Sequence, residues 1–192
     1  DKVFYYVTVM NEAYAQPAMP NGCEEGIVRG MYRLTKARAD DAKRVRLLGS
    51  GTILREVMAA AELLKTFGVS SEVWSVTSFN ELRREGLDID RWNMLHPEEA
   101  PKKAYVSECL GDSDAPVIAA TDYMKVYADQ IRPYVSAPYR VLGTDGFGRS
   151  DTRQRLRRFF EVDRHFVAIA ALTALADQQV TARSVVRDAM QT

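Results

Sequence analysis

The chain has 192 residues, 46% of them hydrophobic, and its 26 basic and 26 acidic side chains leave no net charge. This length and composition allow one full α/β core, while the balanced charge gives no electrostatic reason to expect nucleic acid or an anionic membrane as a partner. No apolar run approaches the ~20 residues that a membrane helix needs, so we expect a cytoplasmic protein with no membrane partner.

The first 43 residues differ in pattern from the remainder of the chain. The sequence begins with aspartate rather than methionine, and we expect a fragment of a longer polypeptide. The run Val3 to Val9 predicts a strand, residues 11–26 are typical of a connector rich in Pro and Gly, and Glu24 to Leu34 predicts a helical turn or a short strand. We therefore assign residues 1–43 to the end of a preceding domain and a linker, and residues 44–192 to the domain itself.

From residue 44 onward, short apolar runs alternate with helical patterns. The predicted strands are Val45–Leu48, Val73–Val76, Val117–Ala120 and Tyr139–Leu142. The predicted helices are Ile53–Phe67, Phe79–Glu85, Met124–Ile131, Thr152–Phe160, Arg164–Ala176 and Ala182–Met190. Such alternation is typical of a largely parallel sheet. Residues 87–114, with Pro97 and Pro101, show no such period, and we expect an irregular segment that covers a neighbouring domain.

Three polar turns follow predicted strands and are candidates for a functional edge. They comprise Gly49, Ser50, Gly51 and Thr52, then Thr121, Asp122 and Tyr123, then Thr144 to Ser150 with Asp145, Gly146, Phe147 and Gly148. In a parallel sheet these turns meet at the carboxyl edge, where open α/β folds place their binding crevice. Backbone amides at such turns suit an anion, but ordinary helix caps or an interface explain the same residues without a ligand.

The last of these turns places one aromatic residue between two glycines. This pattern predicts a turn that acts by its shape and presses Phe147 into the core or against a neighbouring domain. It is followed by a basic cluster in which Arg153 and Arg157 share a helix face. The cluster is either a solvated face or a docking surface for an acidic partner, with Arg149, Arg153 and Arg157 as the candidate docking residues.

The residue types that carry metal or nucleophilic chemistry are scattered. Cys23 and Cys109 are predicted to be two free thiols. His96 and His165 have no partners at metal-ligand spacing, and no histidine lies near a convincing serine nucleophile. The sequence therefore predicts no catalytic, cofactor-binding or metal-binding residue.

Six segments together resemble one enzyme family. LGTDGFGRSD (142–151) resembles the motif near the end of the C-terminal domain of thiamine-diphosphate enzymes of the transketolase type. The match extends to the homodimeric pyruvate dehydrogenase family through FYYVTVMNEAYAQPAMP (4–20), LLGSGTIL (47–54), VWSVTSFNEL (73–82), RWNMLHP (91–97) and ATDYM (120–124). The resemblance covers nearly the whole chain.

This resemblance implies a three-layer α/β sandwich, in which a mostly parallel five-stranded sheet has helices on both faces. It also implies a parent enzyme that decarboxylates pyruvate on thiamine diphosphate with magnesium and then reductively acetylates lipoyl groups. The expected partners are the preceding domains, a second subunit of a homodimer and the lipoyl acetyltransferase component.

The same resemblance implies that the cofactor site belongs to segments outside this chain. The Gly111-Asp112-Ser113 turn departs from the Gly-Asp-Gly metal turn of the family, because a serine replaces its second glycine. We expect the chain to bind no cofactor by itself and to have a structural, dimer-interface role. The alternatives are a transketolase or related 2-oxo acid dehydrogenase, and a docking or allosteric anion-binding domain.

Overall fold

The structure is a computed structural model that describes residues 2–5, 13–37 and 42–191. Most of the predicted strand Val3–Val9 lies outside the described residues. Its described part, Val3–Tyr5, has no regular secondary structure. Within the described ranges, no helix is long and apolar enough to cross a membrane.

The described residues form five strands and eight α helices. In chain order these are α1 (Glu24–Arg29), β1 (Met31–Thr35), β2 (Arg44–Ser50), α2 (Ile53–Thr66), β3 (Ser70–Val76), α3 (Phe79–Leu95), α4 (Tyr105–Leu110), β4 (Val117–Ala120), α5 (Lys125–Asp129), β5 (Tyr139–Leu142), α6 (Arg153–Phe159), α7 (Arg164–Asp177) and α8 (Arg183–Ala189). Every strand and helix predicted beyond residue 44 is present.

The strands form one sheet in the order β1-β3-β2-β4-β5. Strands β3, β2, β4 and β5 are parallel to one another, whereas β1 runs antiparallel to β3 at the edge. Parallel strands need helical crossovers, which cover the faces of the sheet. The predicted mostly parallel, five-stranded α/β fold is confirmed.

Two apolar layers flank the sheet because successive side chains of a strand point to opposite faces. On β2, Leu47 packs with α2 and α7, and its neighbour Leu48 packs with α3, α4 and α5. Helix α2 buries Ile53, Val57, Ala60 and Leu64 along one stripe. This spacing of three to four residues is typical of a helix that lies on a core.

The prediction of an irregular segment at residues 87–114 is wrong over two stretches, which are helical. Helix α3 continues to Leu95, and α4 follows. The side chain of Asn93 donates to the carbonyl of Lys102 at 3.0 Å and accepts from its amide at 2.8 Å. The His96 ring stacks on Trp92 with centroids 4.4 Å apart. In these contacts, side chains of the last turn of α3 bind residues that follow the helix, and they hold its end in place. The hydrophobic period of the sequence does not reveal such polar and aromatic contacts.

The segment before residue 44 contributes to the sheet. Both alternatives predicted for Glu24–Leu34 occur, since α1 is followed directly by β1. Strand β1 pairs with β3, with Met31 opposite Val76, and Met31 is fully buried. The boundary between residues 43 and 44 remains a prediction, while the sheet itself includes β1.

Candidate functional site

The first two predicted turns meet at the carboxyl edge of the sheet. The Ser50 hydroxyl, at the end of β2, donates a hydrogen bond to Oγ1 of Thr121 after β4, at 2.8 Å. The Thr52 hydroxyl donates to Oδ2 of Asp122 at 3.3 Å. The strand order reverses between β2 and β4, because β3 lies on one side of β2 and β4 on the other. This is the place where open α/β folds commonly bind ligands.

The third turn packs against the second. The amide of Thr144 donates to the carbonyl of Tyr123 at 2.8 Å, and the amide of Lys125 donates to Oδ1 of Asp145 at 3.0 Å. A Cβ on Gly143 would lie 2.8 Å from that Tyr123 carbonyl, so the two turns touch through bare backbone. The turns therefore bond to each other rather than presenting these groups to solvent.

Asp122 bears on the prediction of an anion site. The N-terminus of α2 follows Thr52, and the exposed amides of a helix N-terminus favour negative charge. Thr52 makes no side-chain cap to α2, and instead donates to the carboxylate of Asp122. The domain thus supplies its own carboxylate beside this helix end. An external anion bound there would meet like charge.

A cavity of about 270 Å³ lies between this edge and helix α6. The turns contribute Thr52, Asp122 and Thr144 to its wall. Helix α6 and the residue that follows it contribute four side chains at helical spacing: Arg153, Leu156, Arg157 and Phe160. Two of the predicted docking arginines therefore share one face, as the four-residue spacing indicates, and that face is turned toward the cavity.

A buried carboxylate that the sequence analysis missed lies behind this cavity. Glu56 on α2 has a side chain only 7% exposed, and it accepts hydrogen bonds from Arg157 Nη1 at 3.2 Å and Arg164 Nε at 2.9 Å. Arg164 also donates its backbone amide and Nη2 to Glu56. A charged residue beside Ile53 and Val57 in the apolar stripe of α2 is the signal that could have identified it.

These contacts determine the electrostatics of Glu56. Burial raises the pKa of its carboxyl, but the hydrogen bonds and positive charge of Arg164, together with the charge of Arg157, outweigh burial and lower the pKa below 4.5. Arg157 is only 16% exposed and is directed at Glu56. Its charge is therefore committed inside the domain.

The turn that contains Phe147 projects into solvent. The side chain of Phe147 is 96% exposed, so the ring does not lie in the core of this chain. Gly146 has a φ of 82°, but Gly148 does not have a positive φ, and the backbone reason for a glycine therefore applies to Gly146. Large apolar side chains are also exposed beside the turn. We call this set the carboxyl-edge surface: Tyr123, Met124, Val126, Tyr127 and Phe147.

The remaining chemistry-bearing residues do not assemble into a site. Cys23 and Cys109 are free thiols, as predicted. Burial raises the pKa of the Cys109 thiol, which keeps it protonated. Among residues 2–5, 13–37 and 42–191, no three His, Cys, Asp or Glu side chains are placed to hold a metal ion together.

The chain is similar in sequence to one family model and to several characterised proteins. Residues 30–163 match the model of the transketolase-like TK C-terminal domain. The chain is 62% identical to the pyruvate dehydrogenase E1 component of Pseudomonas aeruginosa over 98% of its length, and 54% identical to that of Escherichia coli K12 over 99%. It spans only 22% and 21% of those two relatives.

Solved transketolases share the fold. The Campylobacter jejuni enzyme aligns with a TM-score of 0.53 at 19% identity, over 84% of this chain and 20% of that one. A Pichia stipitis transketolase aligns with a TM-score of 0.56 at 17% identity, over 82% of this chain and 19% of that one. At such identities the likeness concerns the fold alone.

Proposed function

Because the chain belongs to the family of transketolase-like C-terminal domains, we propose that it is the C-terminal domain of a pyruvate dehydrogenase E1 component. The high identity to such components over nearly its whole length supports this assignment. The parent enzyme would decarboxylate pyruvate on thiamine diphosphate with magnesium and pass the acetyl group to a lipoyl carrier. The chain spans about a fifth of its relatives, so that activity needs residues beyond it.

The donor set of this chain does not fit a magnesium diphosphate group. Asp112 ion-pairs with Lys103 at 3.5 Å, and Ser113, at the position of the second glycine of the metal turn, accepts from the amide of Ala115 at 3.3 Å. A Mg²⁺ site needs several oxygen ligands in near-octahedral geometry. We therefore assign no step of the reaction to residues of this chain.

The role that we propose for the domain is an interface role. The carboxyl-edge surface carries the proposal, because it exposes five large apolar side chains beside turns whose polar groups bond to one another. Contiguous exposed apolar patches on soluble proteins mark interaction sites. We propose that this surface packs against the preceding domains of the same polypeptide or against the second subunit of a homodimer.

The wider setting follows from the same proposal. The lipoyl acetyltransferase component would be the partner of the parent enzyme, which would act in the cytoplasm without nucleic acid or membrane partners. Arg149, Arg153 and Arg157 are the docking residues predicted from sequence. Since Arg157 is bonded to Glu56, its replacement would disturb the fold as well as any docking.

Two measurements test the proposal. Isothermal calorimetry of the chain with thiamine diphosphate and magnesium should give no saturable heat, and a micromolar binding isotherm would contradict it. In the complete polypeptide, Val126→Ser and Tyr127→Ser should weaken dimerisation or domain packing in sedimentation experiments while the variant chains alone melt like wild type. If assembly is unchanged in both variants, the interface role of this surface is wrong.

The alternative of an anion-binding domain is tested in the same way. Acetyl-CoA and nucleotides are suitable probes, because their phosphates would reach a helix N-terminus. We expect no binding, since Asp122 already places a carboxylate beside α2. Saturable binding that improves in Asp122→Asn would favour the alternative.

A further inference from the structure

Helix α6 has one face toward the cavity and an opposite face that is exposed. Leu156 and Phe160, four residues apart, face the cavity, as does Arg157. Arg155, Arg158 and Phe159 follow the other helical spacing of three and four residues and therefore lie together on the opposite face. All three are exposed.

The exposed face is held in a defined arrangement. The guanidinium carbon of Arg149 lies 4.8 Å from the ring centroid of Phe159, a cation–π geometry. The Phe159 ring meets Phe160 edge-on, with centroids 5.0 Å apart, and Phe160 packs against the core. The aromatic ring is thus anchored from behind although it is 57% exposed. We call Arg149, Arg155, Arg158 and Phe159 the α6 surface.

The charge on this surface is poorly compensated. Helix α6 contains four arginines and no acidic residue. Arg157 is bound to the buried carboxylate of Glu56 and faces away from this surface. Arg155 reaches Asp151 at 3.8 Å, and its side chain remains 78% exposed. Exposed pairs of this kind contribute little, so a local positive potential persists on a chain with no net charge.

We infer that the α6 surface docks an acidic protein segment that carries an apolar side chain. Arginine around an anchored aromatic ring is the composition typical of the energetically important part of protein interfaces. Carboxylates of the partner would pair with Arg155 and Arg158, and its apolar side chain would cover Phe159. A nucleic acid fits this surface less well than an acidic protein segment does. Its bases would have to stack on the Phe159 ring, which Arg149 already covers.

The proposed function rests on the carboxyl-edge surface, whereas this docking uses the α6 surface and requires no particular reaction, so it goes beyond the proposed function. The test uses the complete polypeptide that contains this chain. The probe is a fluorescently labelled polyglutamate peptide with two central leucines, and its binding is followed by anisotropy at low salt. We expect saturable binding that Arg155→Glu with Arg158→Glu weakens by about tenfold or more, since reversal replaces attraction by repulsion.

Matched variants decide whether the site is specific. Arg183→Glu with Arg187→Glu reverses two exposed arginines on α8, and should leave binding unchanged. Phe159→Ser should weaken binding at high salt as well, because its contribution is apolar. The inference is overturned by equal losses in the α6 and α8 pairs, by no peptide binding, or by tighter binding of a single-stranded oligonucleotide or of vesicles rich in phosphatidylserine. Thermal melts and pyruvate decarboxylation report separately on folding and on the proposed function.

Discussion

The carboxylate of Glu56 accepts three hydrogen bonds from Arg164, from the backbone amide at 3.1 Å, from Nε at 2.9 Å and from Nη2 at 3.2 Å. The two residues join the first turn of α2 to the first residue of α7. Because both helices cover the same face of the sheet, the pair fixes how the C-terminal helices sit on the core.

We expect Glu56→Gln to lower the free energy of unfolding by about 2 kcal/mol. Removing one partner of a buried ion pair leaves the remaining charge uncompensated, although the partial exposure of Arg164 moderates the cost. Urea unfolding measures the change. The matched control is Glu62→Gln on the same helix, whose side chain is 71% exposed and pairs with Lys65. The control should change stability by less than about 0.5 kcal/mol, and an equal loss in both variants would contradict the prediction.

The same carboxylate predicts a dependence of stability on pH. The folded-state pKa of Glu56 lies below the ordinary value of 4.5, so the unfolded state binds the proton more readily. Its contribution is therefore fully present above pH 4.5 and is lost as the pH falls through the lower, folded-state pKa. Melting temperatures measured between neutral pH and pH 3 should fall less steeply for Glu56→Gln than for wild type. Parallel curves would show that other carboxylates dominate the acid transition.

Two glycines that follow β5, Gly143 before the third turn and Gly146 within it, should respond differently to alanine. Gly143→Ala places a methyl group 2.8 Å from the Tyr123 carbonyl and 2.9 Å from the Lys125 amide, and we expect a loss of about 2 kcal/mol through overpacking. Gly146→Ala meets no atom within 4 Å, but its φ of 82° should cost about 1 kcal/mol. Gly148→Ala has neither restriction and serves as the control. Thermal melts of the three variants give the order.

The variant Phe147→Ala distinguishes a contribution of the ring to folding from a contribution to assembly. Because the ring is 96% exposed, the variant chain should melt within about 0.5 kcal/mol of wild type. In the complete polypeptide the same change should weaken domain packing or dimerisation, since large aromatic residues dominate interfaces. Sedimentation measures the second effect. A variant that melts and assembles like wild type but loses turnover would instead assign the turn to the active site.

The parallel sheet could be predicted because its signals are local. The runs Val117–Ala120 and Tyr139–Leu142 are short and apolar, and the structure has strands with those same bounds. Asp163 precedes a long apolar helix and caps it by accepting hydrogen bonds from the amides of His165 and Phe166, a local signal of the same kind. Clustering of the three turns followed from the parallel arrangement, since parallel strands end at one edge.

Other features depend on contacts between residues distant in sequence. Arg157 looked like a surface charge because its partner, Glu56, lies about a hundred residues earlier. The sequence leaves Phe147 open between the core and a contact with a neighbouring domain, because a glycine-flanked aromatic suits both. In each case the periodic pattern shows on which face of an element a residue lies, but not which distant residue that face contacts.

The antiparallel pairing of β1 has a practical consequence for shortened versions of the chain. Beginning the polypeptide at residue 44 would remove β1 and leave the outer edge of β3 with unpaired amides and carbonyls beside Val73, Trp74 and Val76. An exposed apolar edge strand recruits strands from other molecules. Such a version should aggregate in light-scattering measurements, whereas one that begins before α1 should stay dispersed, because Met31–Thr35 closes that side of the sheet against foreign strands.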